Sequence, residues 1–202
     1  MLVTKVIQTS GKKAKIYIDE EFAFALYTGE IRTYKIAEGQ DLDEIFYEEI
    51  ITRIQPKRVK LRAMHLLQSH VYTEAGLRQK LRKGDYTEEM IDLALEYVKK
   101  YGYVNDTEYA RSYILQKQGT LGRKEIERKL LQKGIATQII QESFLDASCQ
   151  NDLTDECEAI ERWLEKKHFR DVCHDPKAVK RIIGFLCRKG YDFDNIKRVM
   201  YL

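Results

Sequence analysis

The stretch Leu77–Ile135, LRQKLRKGDYTEEMIDLALEYVKKYGYVNDTEYARSYILQKQGTLGRKEIERKLLQKGI, is helical in pattern, and its opening recurs at its own end and again near the C-terminus. The first apolar series is Leu77, Leu81, Tyr86, Met90, Ile91, Ala94 and Leu95. The same offsets from Ile126 give Leu130, Ile135, Ile139, Ile140, Ser143 and Phe144. From Ile182 they give Leu186, Tyr191, Asn195, Ile196, Val199 and Met200. Each copy carries apolar residues at helical spacing, then a break, then helical spacing again. The breaks hold Gly84, Gly134 and Gly190, the residue type that lets a chain leave a helix through a left-handed turn. A repeat of roughly 50 residues in helical sequence predicts stacked units, each covering its neighbour's apolar face.

Outward from this stretch, the texture changes before residue 40. Val3 to Thr9, Lys15 to Asp19 and Glu21 to Tyr27 are rich in β-branched and aromatic residues, with turns at Gly11 and at Asp19-Glu20-Glu21. They predict a three-stranded antiparallel sheet, although the larger apolar residues of Ala14–Asp19 run together instead of alternating. Thr28-Gly29 opens a short helix or a fourth strand. Asp41 is the expected N-cap of a helix to about Ile54, with Ile45, Phe46, Ile50 and Ile54 inward. Pro56 ends that helix or marks the first turn of the next. Beyond it, caps are expected at Thr73, Thr87, Asn105, Asp175 and Asp192, with further helices starting near Gly122 and at Thr137 and the third repeat opening near Asp152. The fold class is mainly α: an elongated array of three tandem three-helix repeats, with a small N-terminal antiparallel β-sheet and a linking helix. The divisions are residues 1–55, 56–104, 105–150 and 151–202.

Composition narrows the function. A hydrophobic fraction of 44% with 33% charged residues suits a water-soluble chain with a substantial core. No apolar run approaches the roughly 18 residues of a membrane span, and no signal-peptide pattern opens the chain, so a cytoplasmic location off the membrane is the expectation. Cys149, Cys157, Cys173 and Cys187 form no C-x-x-C pair, and Cys173-His174 with His168 matches no metal-ligand spacing. No phosphate loop, zinc-protease motif or nucleophile elbow is present, so the sequence offers no catalytic residue and calls for no cofactor or metal. The +3 net charge is uneven: residues 1–54 carry 7 Lys+Arg and 10 Asp+Glu, while the remaining 28 and 22 leave the repeat region basic.

The basic residues fall at helical neighbours in the second helix of each repeat: Arg78, Arg82 and Lys83; Arg123, Lys124 and Arg128; Lys177, Arg181 and Arg188. Residues four apart share a face. A strip of such faces would follow a phosphate backbone without reading sequence. An ordinary solvated face is the competing explanation. Tyr97, Tyr101, Tyr103, Tyr109 and Tyr113 offer a base-stacking surface, but the i, i+4 pairs Tyr97/Tyr101 and Tyr109/Tyr113 fit core packing better.

Several runs together carry a family resemblance: Leu77-x-x-Lys80-Leu81, then Gly102-Tyr103-Val104-Asn105-Asp106-x-x-Tyr109-Ala110-x-x-Tyr113, then Gly122-Arg123-x-x-Ile126-x-x-x-Leu130-x-x-Lys133-Gly134-Ile135. The sequence resembles RecX, the bacterial regulator of the recombinase RecA. The resemblance is strongest from about Arg62 to Phe144; the third repeat and the sheet match in layout. Thr73-Glu74-Ala75-Gly76-Leu77 departs from the family's Ser-x-x-Glu-Leu, so Gly76 leaves that helix start without its reciprocal carboxylate. The resemblance implies a non-enzymatic modulator that binds the groove of the RecA–single-stranded-DNA filament, suppresses strand exchange and ATP hydrolysis, and so modulates DNA repair and recombination; a monomer is expected. A helical protein that binds single- or double-stranded DNA without RecA is the alternative.

Overall fold

The computed structural model of the protein describes residues 1–9, 11–150 and 152–201. It is mainly helical, with one small sheet at the N-terminus, and its residues fall into two compact units that meet between Asn105 and Asp106. The expected first and last residues of the third repeat, 151 and 202, lie outside the described residues.

In the first unit, β1 (Val3–Gln8), β2 (Lys13–Ile18) and β3 (Glu21–Tyr27) form an antiparallel sheet in that order. Asp19 and Glu20 turn between β2 and β3 with φ of 49° and 72°, the paired positive values that match strand twist in a tight hairpin. Contrary to the sequence reading, β2 alternates cleanly: Ala14, Ile16 and Ile18 are buried, while Lys13, Lys15 and Tyr17 are half-exposed. Tyr17 belongs to the outer face, where its ring meets Phe22 at 5.8 Å. The inner face joins Ile36, Leu42 and Ile50 in one core. The ambiguous segment after β3 is the helix α1 (Thr28–Thr33). The Glu30 carboxylate accepts the Tyr27 N–H at 2.8 Å, which satisfies a backbone donor at the helix start.

The linking helix differs from expectation at its start, its face and its end. Its cap is Asp43, which accepts the Ile45 N–H at 2.8 Å, and not Asp41. Asp41 is held beside the sheet by a bridge to Leu2 and by the N-terminal ammonium at 3.5 Å, so helix cannot begin there. α2 (Glu44–Glu49) then runs through a π-helical turn, Ile50–Ile54, into α3 (Gln55–Ser69) without a break. The Gln55 N–H bonds the Ile50 carbonyl, five residues back. Pro56 has no N–H and its ring crowds the carbonyl four residues earlier, and the wider turn makes room for it. Ile50 is buried and Ile54 partly so, but Ile45 is 74% exposed. Five residues turn a helix by about 140° past a full circle, which puts Ile45 well away from Ile50. Phe46 packs on Tyr34 at 5.4 Å instead of entering the core.

Thr73 and Thr87 cap α4 (Glu74–Arg82) and α5 (Glu88–Lys100), accepting from Gly76 and Met90. Together with α3 these bury Val59, Ala63, Leu77, Leu81, Ile91, Ala94, Leu95 and Val98. The break between α4 and α5 is left-handed at Asp85 (φ 61°), not at Gly84. A β-carbon on Gly84 would stand 2.8 Å from the Tyr86 ring, so glycine is needed there for space. Asp85 is one of the few residue types tolerated at positive φ, and Lys15 holds its carboxylate at 2.7 Å.

The second unit contains α6 (Asp106–Lys117), α7 (Arg123–Gln132), α8 (Thr137–Cys149), α9 (Glu156–Lys166), α10 (Phe169–Val172), α11 (Pro176–Arg188) and α12 (Phe193–Met200). α10 was not anticipated; four residues are too few to show a period. Asp155 caps α9, while Asp152, near which the third repeat was expected to open, pairs with Arg111 at 3.1 Å. Asp175 and Asp192 cap α11 and α12 as expected. Gly134 and Gly190 are left-handed, at φ of 81° and 86°. The repeated apolar positions become two cores, one around Ile126, Leu130, Ile135 and Ile140, the other around Ile182, Leu186, Tyr191 and Ile196.

Candidate functional site

The nine basic residues picked out by spacing divide by their partners. On α4, Arg78 meets Asp92 at 2.6 Å and Glu88 at 3.2 Å, and Arg82 meets Glu88 at 2.6 Å. Both carboxylates come from the first two turns of α5. The hydrogen bond to Asp92 raises the Arg78 pKa further, and the hydrogen bond from Arg82 lowers that of Glu88. On α7, Arg123 pairs with Glu127 at 2.7 Å and lies over the Phe144 ring at 4.6 Å. Lys124 pairs with Asp192 at 2.8 Å. Arg128 grips Glu125 with two bonds of 2.7 Å, and Lys129 adds a contact at 3.4 Å. The Arg128 bonds hold the Glu125 pKa down to about 2.

Lys83, Lys177, Arg181 and Arg188 differ. All four are exposed, and none has an ion pair among the described residues. Three of them share α11. Steps of four and seven residues put Lys177, Arg181 and Arg188 within about 40° of one another around the helix, and Lys180 borders them, also unpaired. Gly184 lies in the middle of this face, where a β-carbon would come within 3.4 Å of the Arg188 guanidinium. Glycine costs about 1 kcal/mol in a helix interior; here it leaves the cationic surface flat. The second helix of the third repeat therefore presents net positive charge, whereas the charges of α4 and α7 are largely balanced by their own surroundings.

α7 and α11 are joined end to end. The Gly122 N–H donates to the Lys189 carbonyl at 2.9 Å, and the Lys124 N–H to the Gly190 carbonyl at 3.3 Å. The first N–H groups of a helix have no partner within it, and here the turn after α11 supplies two. A β-carbon on Gly122 would lie 2.3 Å from the backbone of Gly190 and Tyr191. The two glycines thus bring the start of α7 against the end of α11, with the Lys124–Asp192 pair alongside. Arg123, Lys124, Arg128, Lys177, Arg181 and Arg188 belong to this second unit, and Arg78, Arg82 and Lys83 to the first.

Spacing alone missed one arrangement beside the α11 face. Trp163 and Phe185 stand edge to face with centroids 5.1 Å apart. Lys166 and Lys189 lie over the indole at 5.2 and 5.1 Å, and Lys167 over Phe185 at 4.7 Å. The signal available in sequence was Lys166-Lys167 three residues after the sole tryptophan, but its partners come from another helix. Among the tyrosines, Tyr97 packs on the core of the first unit, with Tyr101 at 4.9 Å from it, while Tyr101 and Tyr103 remain about half exposed. Tyr109 and Tyr113 stack at 6.5 Å beneath Lys133.

The sequence profile of the third three-helix domain of RecX matches residues 154–200, and that of the second matches residues 105–143. The regulatory protein RecX of Caldanaerobacter subterraneus subsp. tengcongensis is 29% identical over 204 residues, spanning all of both chains. That of Clostridium acetobutylicum is also 29% identical, over 98% of this chain and 94% of its own. These matches make the chain similar to the RecX family along its length. The crystal structure of RecX from Lactobacillus salivarius superposes with a TM-score of 0.63 at 25% identity, over 73% of this chain and 95% of that one. A second crystal structure of a regulatory protein RecX shares the fold over 100% and 99% of the two chains, with a TM-score of 0.66. The unpaired α11 face and the Trp163 cluster both fall within the span of the third-domain profile. No described helix is long and apolar enough to cross a membrane.

Proposed function

We propose that the protein regulates RecA by binding the RecA filament on single-stranded DNA, inhibiting its strand exchange and ATP hydrolysis, as a monomeric, non-enzymatic cytoplasmic protein. Residues 56–104, 105–150 and 151–202 act as three successive repeats. The observation that carries this reading is the row Lys177, Arg181 and Arg188, exposed and unpaired on one side of α11. A cation already holding a carboxylate must give it up to meet a phosphate, so unpaired cations supply the larger gain on contact with a polyanion. The side chains around them are mainly amines, guanidinia and packed aromatics, groups suited to holding a polyanion. Such a face holds a nucleoprotein polymer in place and performs no reaction on it. The paired arginines of α4 and α7 serve as secondary contacts, available to either acidic protein surface or DNA once their partners rotate away.

The test is RecA-dependent ATP hydrolysis on single-stranded DNA, measured with the full chain added up to one molecule per RecA protomer. Hydrolysis is expected to fall as the protein is added. A rate unchanged at equimolar protein would overturn the proposal.

A further inference from the structure

We infer that Trp163 and Phe185, with Lys166, Lys167 and Lys189, form a site in the C-terminal unit that stacks an unpaired base of single-stranded nucleic acid. The inference rests on the filament reading for its biological setting and names the part of that nucleoprotein this unit grasps. Its physical basis is independent of RecA.

Three observations converge. The first is a fixed aromatic surface. The Trp163 indole N–H donates to the Tyr191 hydroxyl at 3.0 Å, and Tyr191 is buried and desolvated enough to raise its own pKa. The indole is therefore held in one orientation, half-buried, with Phe185 against it. A pinned ring loses little entropy when a base lies on it. The second is uncompensated charge. Three ammonium groups lie within 6 Å of these two rings, and none has a carboxylate partner among the described residues. Rings attract single cations, but three like charges around one aromatic pair leave an excess that an anion relieves. The third is continuity. Arg181, Phe185 and Lys189 follow one another at four-residue steps, so the aromatic surface borders the unpaired α11 face along one helical row. Aromatic rings beside a cationic track are what an unpaired strand requires: a face for each base and a charge for each phosphate. A duplex keeps its base faces covered and meets only the charges. An acidic peptide meets the lysines and has no use for the rings.

Trp163 is the only tryptophan in the chain, so its fluorescence reports this site alone. The full-length protein is titrated with an oligothymidylate of roughly 15 nucleotides, long enough to cover such a site. Parallel titrations use an abasic strand of the same length, a duplex, and polyglutamate. The oligothymidylate is expected to quench Trp163 to saturation. Raising salt from about 50 to about 200 mM should weaken that binding roughly tenfold or more, as a few released counterions require. The abasic strand, the duplex and polyglutamate should leave the emission nearly unchanged. Phe185→Leu, which keeps an apolar side chain at that position, should weaken binding by about fivefold or more, the lower end for one lost stacking partner. Lys166→Ala/Lys189→Ala should weaken it about tenfold, with unchanged circular dichroism. An oligonucleotide carrying 5-bromouracil should photo-crosslink to peptides of α9 or α11. Equal quenching by polyglutamate or the abasic strand, oligonucleotide binding without any change at Trp163, or crosslinks confined to other helices would overturn the site. Inhibition of RecA without oligonucleotide binding would remove this site and leave the filament reading standing; binding and quenching without inhibition would do the reverse.

Discussion

Gly122→Ala tests the joint on which the second unit depends. Gly122 has φ −75° and ψ 164°, a conformation alanine adopts freely, so any cost arises from space. The new β-carbon would stand 2.3 Å from the backbone carbon and oxygen of Gly190 and the nitrogen of Tyr191. Those are backbone atoms anchored by the buried Tyr191, so the start of α7 must move away from them. The bonds from Gly122 to Lys189 and from Lys124 to Gly190 are then lost, at about 0.5–1.5 kcal/mol each. Forcing a methyl into a filled site costs about 1–3 kcal/mol more. Alanine's narrower unfolded ensemble returns about 0.4–1 kcal/mol. The net expectation is a loss of about 1–6 kcal/mol, combining these three contributions. Urea unfolding followed at Trp163 reads the second unit specifically, because the chain's one tryptophan lies there. Gly29→Ala is the control: it sits in α1 with nothing within 4 Å of its added carbon, and should leave the Trp163 transition in place. A Gly122→Ala midpoint equal to the unmodified protein's would refute the close end-to-end contact.

Leu130→Ala, at a fully buried position of the same unit, should cost about 2–5 kcal/mol in that melt, whereas Arg123→Ala, an exposed pair, should cost less than about 1 kcal/mol. Glu125 has a carboxylate held below its ordinary range by Arg128, so its stabilising contribution is complete above about pH 4.5 and is lost as pH falls toward about 2. Acid titration of stability should therefore be steeper in the unmodified protein than in Glu125→Gln between those values. Equal slopes would show that the Glu125–Arg128 pair does not form in solution.

The features legible in the sequence were local ones. Thr73, Thr87, Asp175 and Asp192 cap helices because the chemistry needed, a short side-chain oxygen two or three residues before an N–H, lies within one turn. The repeated apolar offsets marked Leu81, Leu130 and Leu186 as core for the same reason: helical period is written in consecutive residues. Features that depend on distant chain were not legible. Asp41 looked like a cap, but the first two residues of the protein hold it beside the sheet. Ile45 looked like core, but the buried face follows Ile50, and the turn around Pro56 is π-helical rather than a break. The availability of the charges was equally hidden. Arg78 and Arg181 occupy similar places on second helices, yet α5 brings Glu88 and Asp92 to Arg78, and among the described residues no carboxylate pairs with Arg181. The lysines and the phenylalanine that surround Trp163 meet only once α9 and α11 are side by side.

The unpaired cations of α11 are proposed to act on a RecA nucleoprotein filament. The measurement that addresses this most directly compares inhibition of RecA-dependent ATP hydrolysis by the unmodified protein and by Lys177→Glu/Arg181→Glu/Arg188→Glu, with Arg123→Glu as the paired-residue control and circular dichroism to confirm folding. Loss of inhibition in the triple variant, with inhibition largely kept in the control, is the predicted result. A triple variant that folds and inhibits as well as the unmodified protein would contradict it.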